Sequence, residues 1–299
     1  MSPPRVVAAI VACNRPREVE RLLGRLLAQT RRPDAILLVD NGTDTETPKL
    51  CAAANVRHVR SAANIGGAGG FALACLLALA DGADFVWLWD DDGWPDQDDA
   101  LSTMIEVQKA HRLALLGPLV LDAADVTRAA FAFRFAGRVV TDVAKLRETP
   151  LLHGVAHLFN GVLLPAATLH RFGVPDMRFF IRGDEVEFFW RIRRGGGAVA
   201  TTTRATARHP SGLREAKWIL GGRAFVIDPP DALRRETLFR NRAYVFSRYG
   251  LWHILAGDVL RYGAFYLLRS SPDFRGLSEW LRASWAGLCG RLGRPESLS

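Results

Sequence analysis

The sequence predicts an α/β fold: a mostly parallel sheet with helices on both faces, followed by a helical, basic and aromatic C-terminal region. Three observations predict it. Strand-like and helix-like runs alternate from Val6 to Trp89, the pattern of a doubly covered parallel sheet. The strand-like runs lead into polar residues rather than into further apolar sequence. From about residue 232, arginines and aromatic residues interleave at helical spacing. A chain of 299 residues is long enough for a full core.

Val6–Val11 reads as a short buried strand, and 17–29 as a helix carrying Val19, Leu22, Leu23, Leu26 and Leu27 on one face. Ala35–Val39 is a second strand, stopped by the turn signal Asp40-Asn41-Gly42. Val56–Val59 is a third strand, 69–79 a small-residue helix and 84–89 a fourth strand. The middle, about 112–210, mixes strands and loops with one clear helix, Asp184–Arg194, which Gly195-Gly196-Gly197 ends. Between about 232 and 295 eleven arginines meet four acids, with Trp252, Tyr262, Phe265, Tyr266, Trp280 and Trp285 between them. Residues 295–299 read as a frayed end.

Composition is that of an ordinary globular protein, 49% hydrophobic and 23% charged. This excludes disordered and fibrous classes. Cys13, Cys51, Cys75 and Cys289 are scattered without a CxxC and read as reduced packing residues of a cytosolic protein. No signal peptide is expected, and no apolar run reaches the length of a membrane-spanning helix. A net charge of +8 favours an anionic partner: nucleic acid, an anionic membrane face or a phosphorylated substrate. The tail lacks any nucleic-acid motif, which ranks nucleic acid low.

Trp87-Leu88-Trp89-Asp90-Asp91-Asp92-Gly93 is the most informative stretch. Three carboxylates directly after an apolar strand suit a hard divalent cation, Mg²⁺ or Mn²⁺, held against a diphosphate; a solvated acidic turn is the plainer reading. Ligands of parallel sheets bind beyond the strand C-termini, and Asn14-Arg15, Asp40-Asn41, Asn64 and Asp90-Asp91-Asp92 all stand there. Asp40 reads either as a turn-former or as an acceptor for a base N–H or ribose hydroxyl. Asn64-Ile65-Gly66-Gly67-Ala68-Gly69-Gly70 lacks the spacing of a dinucleotide fingerprint. Its glycines either admit a sugar or phosphate closely or pack a helix. Asp184-Glu185 either caps a helix or supplies a general base for a sugar hydroxyl. His209 is a surface or packing residue, or a third metal ligand beside two aspartates.

Taken together, these residues resemble glycosyltransferase family 2, with the GT-A fold. The resemblance rests on Val6-Val7-Ala8-Ala9-Ile10-Val11, Asn14-Arg15-Pro16, Val39-Asp40-Asn41, Asp90-Asp91-Asp92, Asp184-Glu185 and His209. Asn64 to Leu73, Leu158-Phe159-Asn160-Gly161, Phe180 to Glu187 and Arg240 to Val245 are similar to its subgroup that initiates the galactan of cell-wall arabinogalactan. The resemblance implies an inverting galactofuranosyltransferase with UDP-galactofuranose as donor and a polyprenyl-diphosphate-linked GlcNAc-rhamnose disaccharide as acceptor. It implies metal ligation by Asp90, Asp92 and His209, and UDP contacts from Asn14, Arg15, Asp40, Asn64, Gly66, Gly67 and Asp91. Glu185, 24 residues before His209, takes the place of the family's base, and Asp184 that of a hydroxyl-binding acid. Ala12-Cys13-Asn14 departs from the hydroxyl or imidazole often found before the Arg-Pro of this family.

The expected organisation is then a nucleotide-sugar-binding half, 1–110, an acceptor-binding and catalytic half, 111–231, and a helical region that meets membrane, 232–299. Its arginines and aromatics suit helices lying on an anionic leaflet; a basic subdomain with a buried aromatic core is the alternative. The expected location is cytoplasmic, at the inner face of the plasma membrane, and association into homo-oligomers stays open. A rhamnosyltransferase using a dTDP-sugar and a non-catalytic scaffold that binds nucleotide or lipid are the rival readings.

Overall fold

The structure is a computed structural model that describes residues 3–135, 138–211, 215–222, 224–268 and 271–294; the end expected to fray, 295–299, lies outside them. The elements run β1 (Val6–Ala12), α1 (Pro16–Leu27), β2 (Ala35–Asp40), α2 (Glu46–Ala53), β3 (Arg57–Arg60), α3 (Gly66–Ala80), β4 (Phe85–Asp90), β5 (Trp94–Pro95) and α4 (Ala100–His111). Next come β6 (Leu115–Asp122), β7 (Arg128–Phe135), β8 (Arg138–Asp142), α5 (Val143–Arg147), β9 (Leu151–His153), β10 (Asn160–Pro165), α6 (Ala166–Phe172), α7 (Asp184–Arg194) and β11 (Val199–His209). The hairpin β12 (Ala216–Ile219) and β13 (Ala224–Ile227) leads into α8 (Ala232–Arg248), α9 (Trp252–Leu267) and α10 (Phe274–Leu288).

The main sheet runs β3-β2-β1-β4-β10-β6-β11-β5. β1 pairs parallel with β2 and β4, and β6 parallel with β11. β10 lies antiparallel between β4 and β6, so one chain reversal joins two parallel blocks. All seven residues of β1 are buried, which is why it reads as an unbroken apolar run. Its alternate side chains feed two cores. Val6, Ala8 and Ile10 pack with α1 (Leu22, Leu26) and α4 (Leu101, Met104). Val7, Ala9 and Val11 pack with α3 (Phe71, Ala74) and α7 (Phe188, Ile192) on the other face.

Three boundaries differ from the sequence reading, each for a local reason. α1 stops at Leu27 because Gln29 turns inward, donating to Gln97 O (2.8 Å) and accepting from Leu101 N (3.1 Å). β3 sits one residue later than expected; it is an edge strand with no fully buried face, so alternation could not set its start. α3 begins at Gly66 rather than Gly69, because the glycines are packing positions. A Cβ on Gly70 would stand 2.5 Å from Val11 Cγ1. The close-packing reading of this glycine run therefore holds for Gly66, Gly69 and Gly70, while Gly67 has nothing within 4 Å of its Cβ position.

The tail is helical, as expected. Much of its positive charge is compensated: Arg242 and Arg261 both pair with Asp258, and Arg235 and Arg275 with Glu279. Among the described residues no helix is long and apolar enough to cross a membrane. All four cysteines are free, but only Cys51 and Cys75 are packing residues; Cys13 lies at a strand end and Cys289 is exposed.

Candidate active site

The strand ends are tied to one another by side chains. Asp91, at the tip beyond β4, accepts from Cys13 N (3.1 Å) and from Arg15 Nη1 (2.9 Å). The same Arg15 nitrogen reaches Asp92 Oδ2 at 2.9 Å. Asn14 adopts a left-handed backbone (φ 56°), a conformation asparagine tolerates, and its Oδ1 accepts from Thr43 N (2.8 Å) and Asp44 N (3.1 Å). Asn41 Nδ2 donates to Gly66 O (2.8 Å), and Asn64 Oδ1 accepts from Gly66 N (2.8 Å). The loops after β1, β2, β3 and β4 thus form one rim, with Asn14 and Asn64 exposed on it.

Two expected ligand contacts are engaged elsewhere. Asp40 is fully buried; its Oδ1 accepts from Gly42 N (2.7 Å), and its Oδ2 meets His58 Nε2 (3.0 Å) and Arg60 Nη2 (2.7 Å). The turn-forming reading is the one seen, and a nucleoside would have to displace Arg60 or His58 to reach the carboxylate. Asp91, 4% exposed, likewise serves as the tie between the first and fourth loops. Gly66 approaches Phe180 so closely that a Cβ would overlap Phe180 O, and its φ is 73°. Gly66→Ala is therefore expected to cost at least the ~1–2 kcal/mol of a left-handed non-glycine residue, read as a lower midpoint in thermal unfolding.

Asp90, Asp91 and Asp92 each offer an oxygen within 4.8 Å of the others. Burial pushes Asp90 up to about 8, helped by the two neighbouring carboxylates. Asp91 is pushed up to about 6, again chiefly by burial. Asp92 goes the other way: burial raises it, but His209 and Arg15 outweigh that and hold it below the usual range. His209 closes β11 and places Nε2 2.9 Å from Asp92 Oδ1. Burial disfavours its charged form, but Asp92 outweighs this and raises it. Nδ1 faces Pro210 O at 2.5 Å; a carbonyl can only accept, so Nδ1 carries a proton and Nε2 is left to the aspartate. Asp92 Oδ1 is buried opposite Nε2, and the raised imidazole and lowered carboxyl mean that the two share a proton. A cation bound there would take that proton's place. The oxygen-rich set with one imidazole fits Mg²⁺ or Mn²⁺.

The second acid group comes from α7. Asp184 is 4% exposed. Burial, then Glu185 beside it, holds its carboxyl well above the usual range, and Asp90 adds to this. Residues almost a hundred positions apart thus lie close enough for the Asp90 carboxylate to act on Asp184. Glu185 is half-buried. Glu187 has a different role: it is held by Arg191 (2.7 Å) and Tyr249 (2.7 Å).

Sequence reasoning assigned no role to Asn160 and Trp89. They pair across β10 and β4, and Asn160 Oδ1 and Trp89 Nε1 are buried without partners. A Cβ on Gly93, just past the aspartates, would meet Asn160 Oδ1 at 3.2 Å. An amide opening an otherwise apolar strand was the available signal.

An α/β sheet with an aspartate triplet at a strand end and a second acid pair nearby suits a group-transfer enzyme, and comparison with known proteins shows the class. Residues 8–149 match the family described as Glycosyl transferase family 2. Galactofuranosyltransferase GlfT1 of Mycolicibacterium smegmatis is 41% identical over 305 residues, covering 99% of both chains. The protein of the same name from Mycobacterium tuberculosis H37Rv is 41% identical, covering 97% of both. The crystal structure of GalNAc-T7 with UDP, GalNAc and Mn²⁺ superposes with a TM-score of 0.56 at 15% identity, over 82% of this chain and 48% of that one. That likeness is one of fold, and this chain spans about half the length of that protein. The chain belongs to glycosyltransferase family 2.

Proposed function

We propose that this glycosyltransferase transfers galactofuranose from UDP-galactofuranose, with inversion, to a polyprenyl-diphosphate-linked GlcNAc-rhamnose acceptor, the step that initiates a cell-wall galactan. The observation that supports the reading is that two acid groups, Asp90 to Asp92 and Asp184-Glu185, lie near enough for Asp90 to raise Asp184. It occurs in a chain 41% identical over nearly its whole length to proteins named galactofuranosyltransferase. Residues 1–110 would hold the donor, 111–231 the acceptor, and 232–299 would meet the lipid.

Asp90, Asp92 and His209 are the residues that would hold a divalent ion, and such an ion would neutralise charge on the departing diphosphate. Mn²⁺ in the GalNAc-T7 structure supports that class of ion. Asn14, Asn64 and the open Gly67 line the rim for the nucleotide, and Arg15 adds positive charge beside it. Asp40 and Asp91 act by shaping that rim. Asp184 keeps a proton and hydrogen-bonds a substrate hydroxyl. Glu185 accepts the proton of the attacking acceptor hydroxyl as the new bond forms, so displacement proceeds in one step.

The pH dependence of metal binding has a definite sign. Folded-state values raised to about 8 and about 6 mean that the metal-free protein binds extra protons between mild acid and pH 8. Their contribution to stability is present at low pH and is lost as pH rises through those values. A cation held by Asp90 must displace its proton, so it binds more tightly as pH rises. Mn²⁺ is expected to raise the thermal midpoint more at about pH 8 than at about pH 5.5. Equal shifts at both would remove Asp90 from the metal site.

Anionic membrane as a partner is supported by the tail's surface. Trp252, Val259, Leu281, Trp285 and Leu288 line a groove of about 390 Å³ between α8, α9 and α10. Leu260 and Leu268 are each 75% exposed and Phe274 70%. Arg275, 92% exposed at its side chain, stands beside Phe274. Apolar side chains next to basic ones suit the interface of an anionic leaflet at the inner face of the plasma membrane. Full-length protein is expected to sediment with phosphatidylglycerol vesicles, and Leu260→Glu with Phe274→Glu to stay in solution. Sedimentation of that double variant equal to the parent would refute the assignment.

A further inference from the structure

We infer that Asn241, in the C-terminal helical region, is a positioning residue for the acid pair Asp184-Glu185; the inference rests on the catalytic reading above. The segment before α7 is irregular. Phe180, Arg182 and Gly183 have φ of 67°, 63° and 87°, and two of these are side-chain-bearing residues in a region that favours glycine. Such a path persists only if its surroundings enforce it.

Two neighbours enforce it. On the donor side Ala68 N donates to Phe180 O (3.0 Å), and Gly66 leaves room for that carbonyl. On the other side stands Asn241, fully buried in α8. Its Nδ2 donates to Phe179 O (2.9 Å), Ile181 O (3.1 Å) and Arg182 O (2.7 Å). One amide therefore gathers three carbonyls that helix or sheet would otherwise bind, within the four residues just before Gly183 and Asp184. Arg240 Nε donates to Asn241 Oδ1 (2.9 Å), which fixes which way the amide faces. Arg240 is itself buried and reaches Phe179 O (3.3 Å) and Gly293 O (3.0 Å). The Cβ position of Gly183 lies 3.0 Å from Asn241 Cβ, so α8 bears directly on the start of α7.

The consequence is that residues 232–299 are part of the active-site scaffold as well as a lipid-facing surface. Asn241 touches no reacting atom; it sets where Glu185 stands. Displacing a catalytic group by about 1 Å can cost on the order of 10²-fold in rate, whereas the amide of Asn241 bonds the carbonyls of residues 179, 181 and 182 and not the nucleotide rim.

The test uses full-length Asn241→Asp, whose carboxylate cannot donate to the three carbonyls, and Asn241→Ser, which keeps one donor. The reaction is measured with UDP-galactofuranose and the lipid-linked disaccharide, UDP affinity by calorimetry, and amide exchange over 179–186 by mass spectrometry. Asn241→Asp is expected to lower kcat on the order of 10²-fold, Asn241→Ser by less, both with UDP affinity unchanged and faster exchange confined to 179–186. An unchanged kcat in a folded variant overturns the inference, as does a rate loss matched by loss of UDP affinity. If Asn241→Asp does not fold, Asn241→Ser decides by the same criteria. If the parent itself transfers no galactofuranose, the functional reading fails, and exchange over 179–186 alone decides the clamp: faster supports it, unchanged overturns it.

Discussion

Glu185→Gln is expected to lower transfer on the order of 10³-fold while leaving UDP binding near that of the parent. The amide keeps the size of the side chain but cannot accept a proton. Asp184 cannot substitute, because its burial beside Glu185 and Asp90 favours the neutral acid. The expected signature is therefore a fall in kcat with little change in donor KM, the pattern of an interaction made in the transition state only. Steady-state kinetics with calorimetric UDP titration reads both quantities. Retained turnover would reject Glu185 as the base.

Asp92→Ala is expected to act on the other half of the site. Removing groups that merely orient a metal ligand costs about 10–100-fold in metal affinity, and loss of a ligand should exceed about 100-fold. The substitution also leaves His209 Nε2 without its acid partner and Arg15 with Asp91 alone. Metal-dependent UDP affinity should collapse, whereas the fold, whose cores lie on the two faces of the sheet, should survive. Titration of UDP with and without Mn²⁺ decides. Unchanged metal-dependent affinity would exclude Asp92 as a ligand.

Much of this site was legible in the residues because its parts sit at predictable places. β1 announces itself by an unbroken apolar run, and the aspartate triplet follows β4 directly. The helix Asp184–Arg194 was placed at both ends, since an acidic first turn and a glycine stop are local signals. What was not legible depends on distant partners. β10 enters antiparallel between β4 and β6, and nothing in its own six residues encodes direction. Asp40 was expected to be open to ligand and proved to be held by His58 and Arg60 from the next strand. Asn241 stood out only within Arg240 to Val245, a stretch similar to the family, and its contacts appear only when α8 meets a loop about 60 residues earlier. Local rules thus placed the acids at the ends of their elements, while tertiary contacts decide what surrounds them.

The most direct test combines the full-length protein, Mn²⁺, UDP-galactofuranose and a synthetic polyprenyl-diphosphate-linked GlcNAc-rhamnose disaccharide, with product masses read by mass spectrometry. The account predicts an acceptor extended by galactofuranose, with one UDP released per sugar added and no extension without a divalent ion. An acceptor left unmodified under these conditions, or one extended by rhamnose from a dTDP-sugar instead, would contradict it.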